Sequence, residues 1–119
     1  MRILIIDDEP LIMEDLKYTL KKIGYYVDST TYPIEALKLY TTEKYDLVIT
    51  DLNMPLMSGF DLIKKILELN EKAIIVVISA SEDKEYEVLN CGAFGFLEKP
   101  IKISLLVEML KKAGEEIRM

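Results

Sequence analysis

The chain has 119 residues, half of them hydrophobic and 30% charged, with a formal net charge of −6. That is enough apolar chain for one domain with a core, too hydrophobic for a disordered segment, and too acidic for a nucleic-acid-binding surface. Histidine is absent and Cys91 is the single cysteine, which excludes Ser-His and Cys-His catalysis, histidine-ligated zinc, phosphohistidine carriage and an internal disulfide.

Arg2-Ile3-Leu4-Ile5-Ile6 is a short apolar run that stops at Asp7-Asp8-Glu9-Pro10. It reads as a buried strand followed by an acidic loop, with Pro10 suited to the first turn of a helix. That helix repeats apolar residues at Ile12, Leu16, Leu20 and Ile23 and ends before Gly24. Tyr25 to Thr30 reads as a second, less apolar strand, nearer an edge. Pro33 opens a second helix carrying Ile34, Leu37 and Tyr40. Leu47-Val48-Ile49 has the continuous apolar character of a parallel strand buried on both faces, and it ends on a carboxylate, Asp51. A third helix opens at Phe60 and carries Ile63 and Leu67. Ala73 to Ile78 is the strongest strand signal, ending at Ser79-Ala80-Ser81. A fourth helix over about Glu82 to Asn90 has a thin apolar stripe, Tyr86 and Leu89 with Val88 beside them. Gly95 to Glu98 reads as a fifth strand, closed by Lys99-Pro100. A last helix runs from about Ser104 to Ala113.

Strand and helix thus alternate five times. The pattern predicts a single α/β domain over residues 1–119, with a parallel sheet, helices on both faces and right-handed crossovers. No stretch is apolar over the length of a membrane span, and no leader-like segment opens the chain. A cytoplasmic protein with no membrane or direct nucleic-acid partner is expected.

In a parallel sheet the carboxyl ends of the strands share one edge, where open α/β sheets place their ligand crevices. The first strand brings Asp7 and Asp8 there, the third Asp51, the fourth Ser79 and the fifth Lys99. Each has a plain structural reading as a cap, turn or strand-end residue. Together they place polar side chains at four strand ends on one edge. Three carboxylates in one crevice repel unless protonated or neutralised, and an all-oxygen set favours a hard cation such as Mg²⁺. A carboxylate nucleophile, a divalent metal, a lysine and a hydroxyl are the parts phosphoryl transfer needs.

The sequence resembles the receiver domain of bacterial two-component response regulators over essentially its whole length. The resemblance rests on Asp7-Asp8, on Asp51 within Thr50-Asp51-Leu52-Asn53-Met54-Pro55, on Ser79-Ala80 and on Lys99-Pro100, with support from Gly92-Ala93 and Phe96. It implies a flavodoxin-like fold with strand order 2-1-3-4-5. It implies that Asp51 is the phosphoacceptor, and that Asp8, Asp51 and the Asn53 carbonyl ligate Mg²⁺ (with Mn²⁺ as a substitute) while Asp7 holds metal-bound water. Ser79 is then the hydroxyl that meets the phosphoryl group, Lys99 pairs with a phosphoryl oxygen, and Lys99-Pro100 is a cis peptide. The implied partners are a sensor histidine kinase or phosphotransfer protein and a downstream protein. The implied role is signalling, with enzymatic activity limited to self-phosphorylation from small donors and slow self-dephosphorylation.

Movement of Ser79 toward the phosphoryl charge, followed by Phe96 turning inward, is the expected switch, altering the face of the fourth helix, fifth strand and last helix. Phe96 departs from the tyrosine common in the family and has no hydroxyl to bond. On the last helix, Ile103, Leu106, Val107 and Leu110 form a stripe for the core, whereas Leu105 and Met109 lie opposite and offer a surface for a homodimer or partner. Three other readings compete. A haloacid-dehalogenase-type enzyme needs an acid two residues after its nucleophile, where this chain has Asn53. A flavin carrier needs a small polar first loop where this chain has Asp7-Asp8-Glu9. A phosphorylation-independent adaptor has no use for the complete acidic site.

Overall fold

The computed structural model describes residues 1–118. Its elements are β1 (Arg2–Ile6), α1 (Pro10–Ile23), β2 (Tyr26–Thr30), α2 (Pro33–Thr42), β3 (Leu47–Asp51), α3 (Gly59–Leu69), β4 (Ile75–Ser79), α4 (Glu85–Asn90), β5 (Gly95–Glu98) and α5 (Ile103–Arg118). The five strands form one parallel sheet in the order β2-β1-β3-β4-β5. This is the expected flavodoxin-like topology, in which the order reverses between β1 and β3 and opens a crevice at their carboxyl ends.

Side chains on a strand alternate between faces, and the core divides accordingly. Ile3, Ile5, Leu47, Ile49, Val76, Ile78 and Leu97 pack on one face with Met13, Leu16 and Leu20 of α1 and Leu106, Leu110 and Ala113 of α5. Leu4, Ile6, Val48, Ile75, Val77 and Phe96 pack on the other, with Ala36 of α2, Leu62, Ile63 and Ile66 of α3 and Val88 of α4. The register sets Ile5 opposite Ile49, Ile49 opposite Val76 and Val76 opposite Gly95. A one-residue slip of any strand would exchange these two apolar sets for each other's positions.

Gly24 ends α1 in the left-handed region (φ 119°), and its N–H donates to the carbonyls of Leu20 and Lys21. A residue with a Cβ is disfavoured there.

The helix faces differ from the sequence expectation in all five helices. In α1 the buried stripe is Met13, Leu16 and Leu20, while Ile12 is half-buried and Ile23 exposed. In α2 Pro33 and Ala36 face inward and Ile34 is exposed. In α3 the buried face is Leu62, Ile63 and Ile66, while Phe60 and Leu67 are half-buried. The fourth helix begins as a single 3-10 turn over Glu82–Lys84, and Val88 alone is fully buried; Tyr86 and Leu89 face outward. The last helix starts one residue earlier than expected and continues beyond Ala113; Ile103 of its expected core stripe is exposed. Met109 is not a free surface residue. It packs over β5, where a Cβ on Gly95 would collide with its sulfur, so Leu105 alone of the expected contact pair stands exposed.

Candidate functional site

The carboxyl edge of the sheet gathers the charged residues. Asp7 lies one residue past β1, Asp51 ends β3 and Lys99 follows β5. All three share the alternation of Ile5, Ile49 and Leu97, so they fall on the α1/α5 side of the edge. Lys99 Nζ sits 3.3 Å from Asp7 Oδ2, 3.4 Å from Asp51 Oδ2 and 3.4 Å from Glu9 Oε1. One carboxylate oxygen from each of Asp7, Asp8, Glu9 and Asp51 lies within 4.8 Å of the others. Glu9 is the member sequence reasoning missed. Its signal was its place directly after Asp8, where the chain turns from β1 into α1.

The carboxylates are also held by backbone. Asp7 Oδ1 accepts the N–H of Glu9 at 2.9 Å, and Asp51 Oδ1 accepts the N–H of Leu52 at 2.8 Å. Each therefore keeps its second oxygen directed at Lys99. Behind Asp51 the chain has no spare room. Gly59 donates its N–H to the Leu52 carbonyl at 2.7 Å, and a Cβ at Gly59 would lie 2.7 Å from both the Asp51 carbonyl oxygen and the Leu52 Cα. Ser58 caps α3 by accepting the Asp61 N–H. This close approach fixes where α3 starts relative to Asp51.

Burial is the largest influence on both Asp7 and Asp51 and pushes their carboxyls above the ordinary range. Lys99 and the backbone N–H groups work against this and do not overcome it. For Lys99, burial alone lowers the ammonium, but the charges of Asp51 and Asp7 outweigh it and hold it above its usual value. The formal count explains the imbalance: four carboxylates face one ammonium. The donor set is all oxygen, close-spaced and short of positive charge, which is the chemistry of a Mg²⁺ site. A divalent cation here would complete the neutralisation that Lys99 begins.

Among the described residues, no hydrogen bond joins the side chain of Asn53 or Ser79 to this cluster. Asn53 is exposed in the loop after β3. Ser79 is fully buried, and its Oγ accepts the Ser81 N–H at 3.0 Å. It shares its face of the sheet with Phe96, which is 9% exposed and belongs to the core cluster on the α2, α3 and α4 side. The ring is buried in this conformation. The Lys99-Pro100 peptide is cis. No helix among the described residues is long and apolar enough to cross a membrane.

Comparison with known proteins places this arrangement. The family model described as "Response regulator receiver domain" matches residues 3–111. The chain is 37% identical over 117 residues to the chemotaxis protein CheY of Thermotoga maritima, covering 96% of this chain and 98% of that protein. It is 38% identical over 108 residues to the sensor protein EvgS of Escherichia coli, covering 89% of this chain but 9% of that protein. It thus spans about a quarter or less of several curated relatives that it matches. Among solved structures it is similar to the response regulator protein TrrA from Thermotoga maritima in complex with Mg²⁺-BeF, with a TM-score of 0.88 at 35% identity, covering 94% of this chain and 97% of that one. With its topology, its acidic strand ends and these matches in agreement, the chain belongs to the response regulator receiver domain family.

Proposed function

We propose that Asp51 accepts a phosphoryl group from a phosphohistidine of a partner protein, and that Asp7, Asp8, Glu9 and Lys99 make this possible. Receiver domains as a family are signalling domains, phosphorylated by histidine kinases and read by downstream effectors. The observation that carries the reading is the convergence of Lys99 Nζ on Asp7 Oδ2 and Asp51 Oδ2 at the sheet edge, inside the four-carboxylate cluster.

The step is an exchange of one bond for another. A free carboxylate oxygen of Asp51 attacks phosphorus, the N–P bond of the donor breaks, and the imidazole leaves with its electron pair. Asp8, Asp51 and the Asn53 carbonyl, with Asp7 and Glu9 behind them, are the groups that would hold the metal. A bound Mg²⁺ supplies charge neutralisation for the phosphoryl oxygens, and Mn²⁺ has the same oxygen preference. Lys99 supplies the second positive charge and is already in place. The Leu52 N–H holds Oδ1 of Asp51, so the oxygen nearer Lys99 is the nucleophile.

Phosphorylation adds about −1.5 to −2 charge. Ser79 then exchanges its bond with the Ser81 N–H for one to a phosphoryl oxygen. That releases the Ser81–Lys84 segment, whose 3-10 turn buries no residue and whose following helix buries only Val88. The outward face of α4, β5 and α5 is the surface that changes, with Phe96 supporting it from within by packing alone. Beyond this, activity is limited to self-phosphorylation from small donors and slow loss of the phosphoryl group.

The test is intact mass after incubation with acetyl phosphate. The expected result is one added phosphoryl group that requires Mg²⁺ and is lost in Asp51→Asn. An adduct of equal yield in that variant would remove Asp51 from its role. No adduct and no Mg²⁺ binding in either protein would favour a phosphorylation-independent adaptor.

A further inference from the structure

The amino edge of the sheet, opposite the carboxylate cluster, carries a groove that the proposed phosphoryl chemistry does not use. It consists of two adjoining cavities of about 600 and 550 Å³, and Tyr40, Tyr45, Asp46 and Asn70 line both. The Asn70 side-chain N–H donates to the Tyr40 hydroxyl at 3.1 Å, tying the end of α3 to the end of α2 where the cavities meet. Phe94, just before β5, lines the larger cavity.

Three features suit this groove to cations. In a parallel sheet the helices run against the strands, so α2 and α3 bring their negative carbonyl ends to this edge, at Thr42 and Leu69. α1 offsets its own end with Lys21 and Lys22, but neither α2 nor α3 has a basic residue in its last turn. The charged side chains lining the two cavities are the acids Glu43, Asp46, Glu71 and Glu116 against the bases Lys44 and Lys72. Among the described residues, no ion pair engages Asp46, Glu71 or Glu116. Finally, aromatic rings attract cations, and Tyr45 already holds one: the Arg2 guanidinium stands over its ring and pairs with Glu43. An organic cation of the chain's own is thus held at the border of the groove by a ring and a carboxylate, the two kinds of group that line the rest of it.

The spacing of the acids decides the kind of cation. A metal ion needs carboxylates drawn tightly together. Among the described residues that condition is met by Asp7, Asp8, Glu9 and Asp51 at the other edge. The groove's acids are spread out instead: Glu71 and Glu116 line one cavity, Glu43 the other, and Asp46 both. Several ammonium groups joined by methylene chains match that spread, with the charges meeting acids in turn and the chains lying along the rings. We propose that the amino-edge groove binds a linear polyamine, with Tyr40, Tyr45 and Phe94 as its walls and Asp46, Glu71 and Glu116 as the partners of successive ammonium groups. The site lies at the far end of the sheet from Asp51 and does not depend on the role of that residue.

The test is calorimetric titration of the whole chain with spermidine at fixed ionic strength, with saturating Mg²⁺ present to compete at the other edge. Amide chemical shifts map the contact. Shifts are expected over residues 43–46, 70–74 and 92–94. Glu71→Gln with Glu116→Gln, both exposed and harmless to the core, is expected to weaken binding about tenfold. Glu14→Gln with Glu35→Gln removes the same charge outside the groove and is expected to stay within about twofold. Butylamine, with one charge, is expected to bind at least about tenfold more weakly than spermidine. Absence of spermidine binding to wild type would overturn the proposal, as would equal losses in the two double variants. Shifts centred on Asp7–Glu9 and Asp51, or butylamine binding as tightly as spermidine, would overturn it too.

Discussion

The two ends of the sheet each place one cation among several acids, with opposite results. At the amino edge the Arg2 guanidinium lies 3.2 Å from Asp28 Oδ2 and 3.5 Å from Glu43 Oε2, and it stands over the rings of Tyr26 and Tyr45 at 4.9 and 5.0 Å. Tyr45 donates its hydroxyl to Asp28 at 2.7 Å. Partial burial works against ionisation of Asp28, yet the bonds from Tyr45 and Arg2 outweigh it and hold its carboxyl below the ordinary range. At the carboxyl edge Lys99 meets more acid with fewer donors, and Asp7 and Asp51 lie above that range. In the first cluster the donors outweigh burial and keep Asp28 ionised. The second remains short of positive charge, which favours a divalent cation, and with that cation bound the site would accept the charge of a phosphoryl group.

The largest test of this contrast removes the single cation at the functional end. Lys99→Met is expected to slow labelling by acetyl phosphate by about 100-fold or more, since it deletes a preorganised charge at the reacting oxygens. Labelling followed by mass against time measures this, and a variant within severalfold of wild type would take Lys99 out of the chemistry. At the opposite end, Tyr45→Phe keeps the ring over Arg2 but leaves Asp28 without its closest donor. A loss of about 1–2 kcal/mol in urea unfolding is expected, with acetyl phosphate labelling unchanged. No loss would mean that the amino-edge cluster holds nothing together.

The smallest and sharpest test is in pH. Asp28 has a depressed folded-state value, so its contribution to stability is present above the unfolded carboxylate range and is lost as pH falls through the folded value. Asp7 and Asp51 have raised folded-state values. The native state then binds more protons than the unfolded one, and stability falls as pH rises from the unfolded to the folded value. Without Mg²⁺, Asp7→Asn is expected to gain about 1 kcal/mol at neutral pH and to lose that gain on acidification. Asp28→Asn is expected to lose stability at neutral pH and less of it in acid. Urea midpoints between acid and neutral pH measure both, and slopes of the same sign would erase the distinction.

The alternation of strands with helices and the acidic edge were legible because the buried parallel strands read as apolar runs and four of the five stop beside a polar residue of the candidate site, while the strand order came with the family resemblance. Helix faces were harder to read. In α1, Ile12 and Ile23 fit a 3.6-residue period about as well as Met13 does, and only the sheet it packs on decides between them. In α4, the one buried residue was Val88, and the larger Tyr86 misled because size does not fix direction. The Met109 contact depends on Gly95 lacking a side chain, which is visible only when helix and strand are brought together. The amino-edge cluster joins Arg2 to Tyr45, 43 positions along the chain, and no local pattern marks it. Glu9 was hidden by its company, since an acid after two acids reads as a solvated turn.

Gly59 presses so closely on the backbone of Asp51 and Leu52 that this side of the site behaves as the fixed jaw of a vice. The Ser79 side, backed by a 3-10 turn and a helix with one anchor, is the sliding jaw. On the proposed phosphorylation of Asp51, a load placed between them would find its relief on the Ser79 side, and the face of α4, β5 and α5 would be the one to report it.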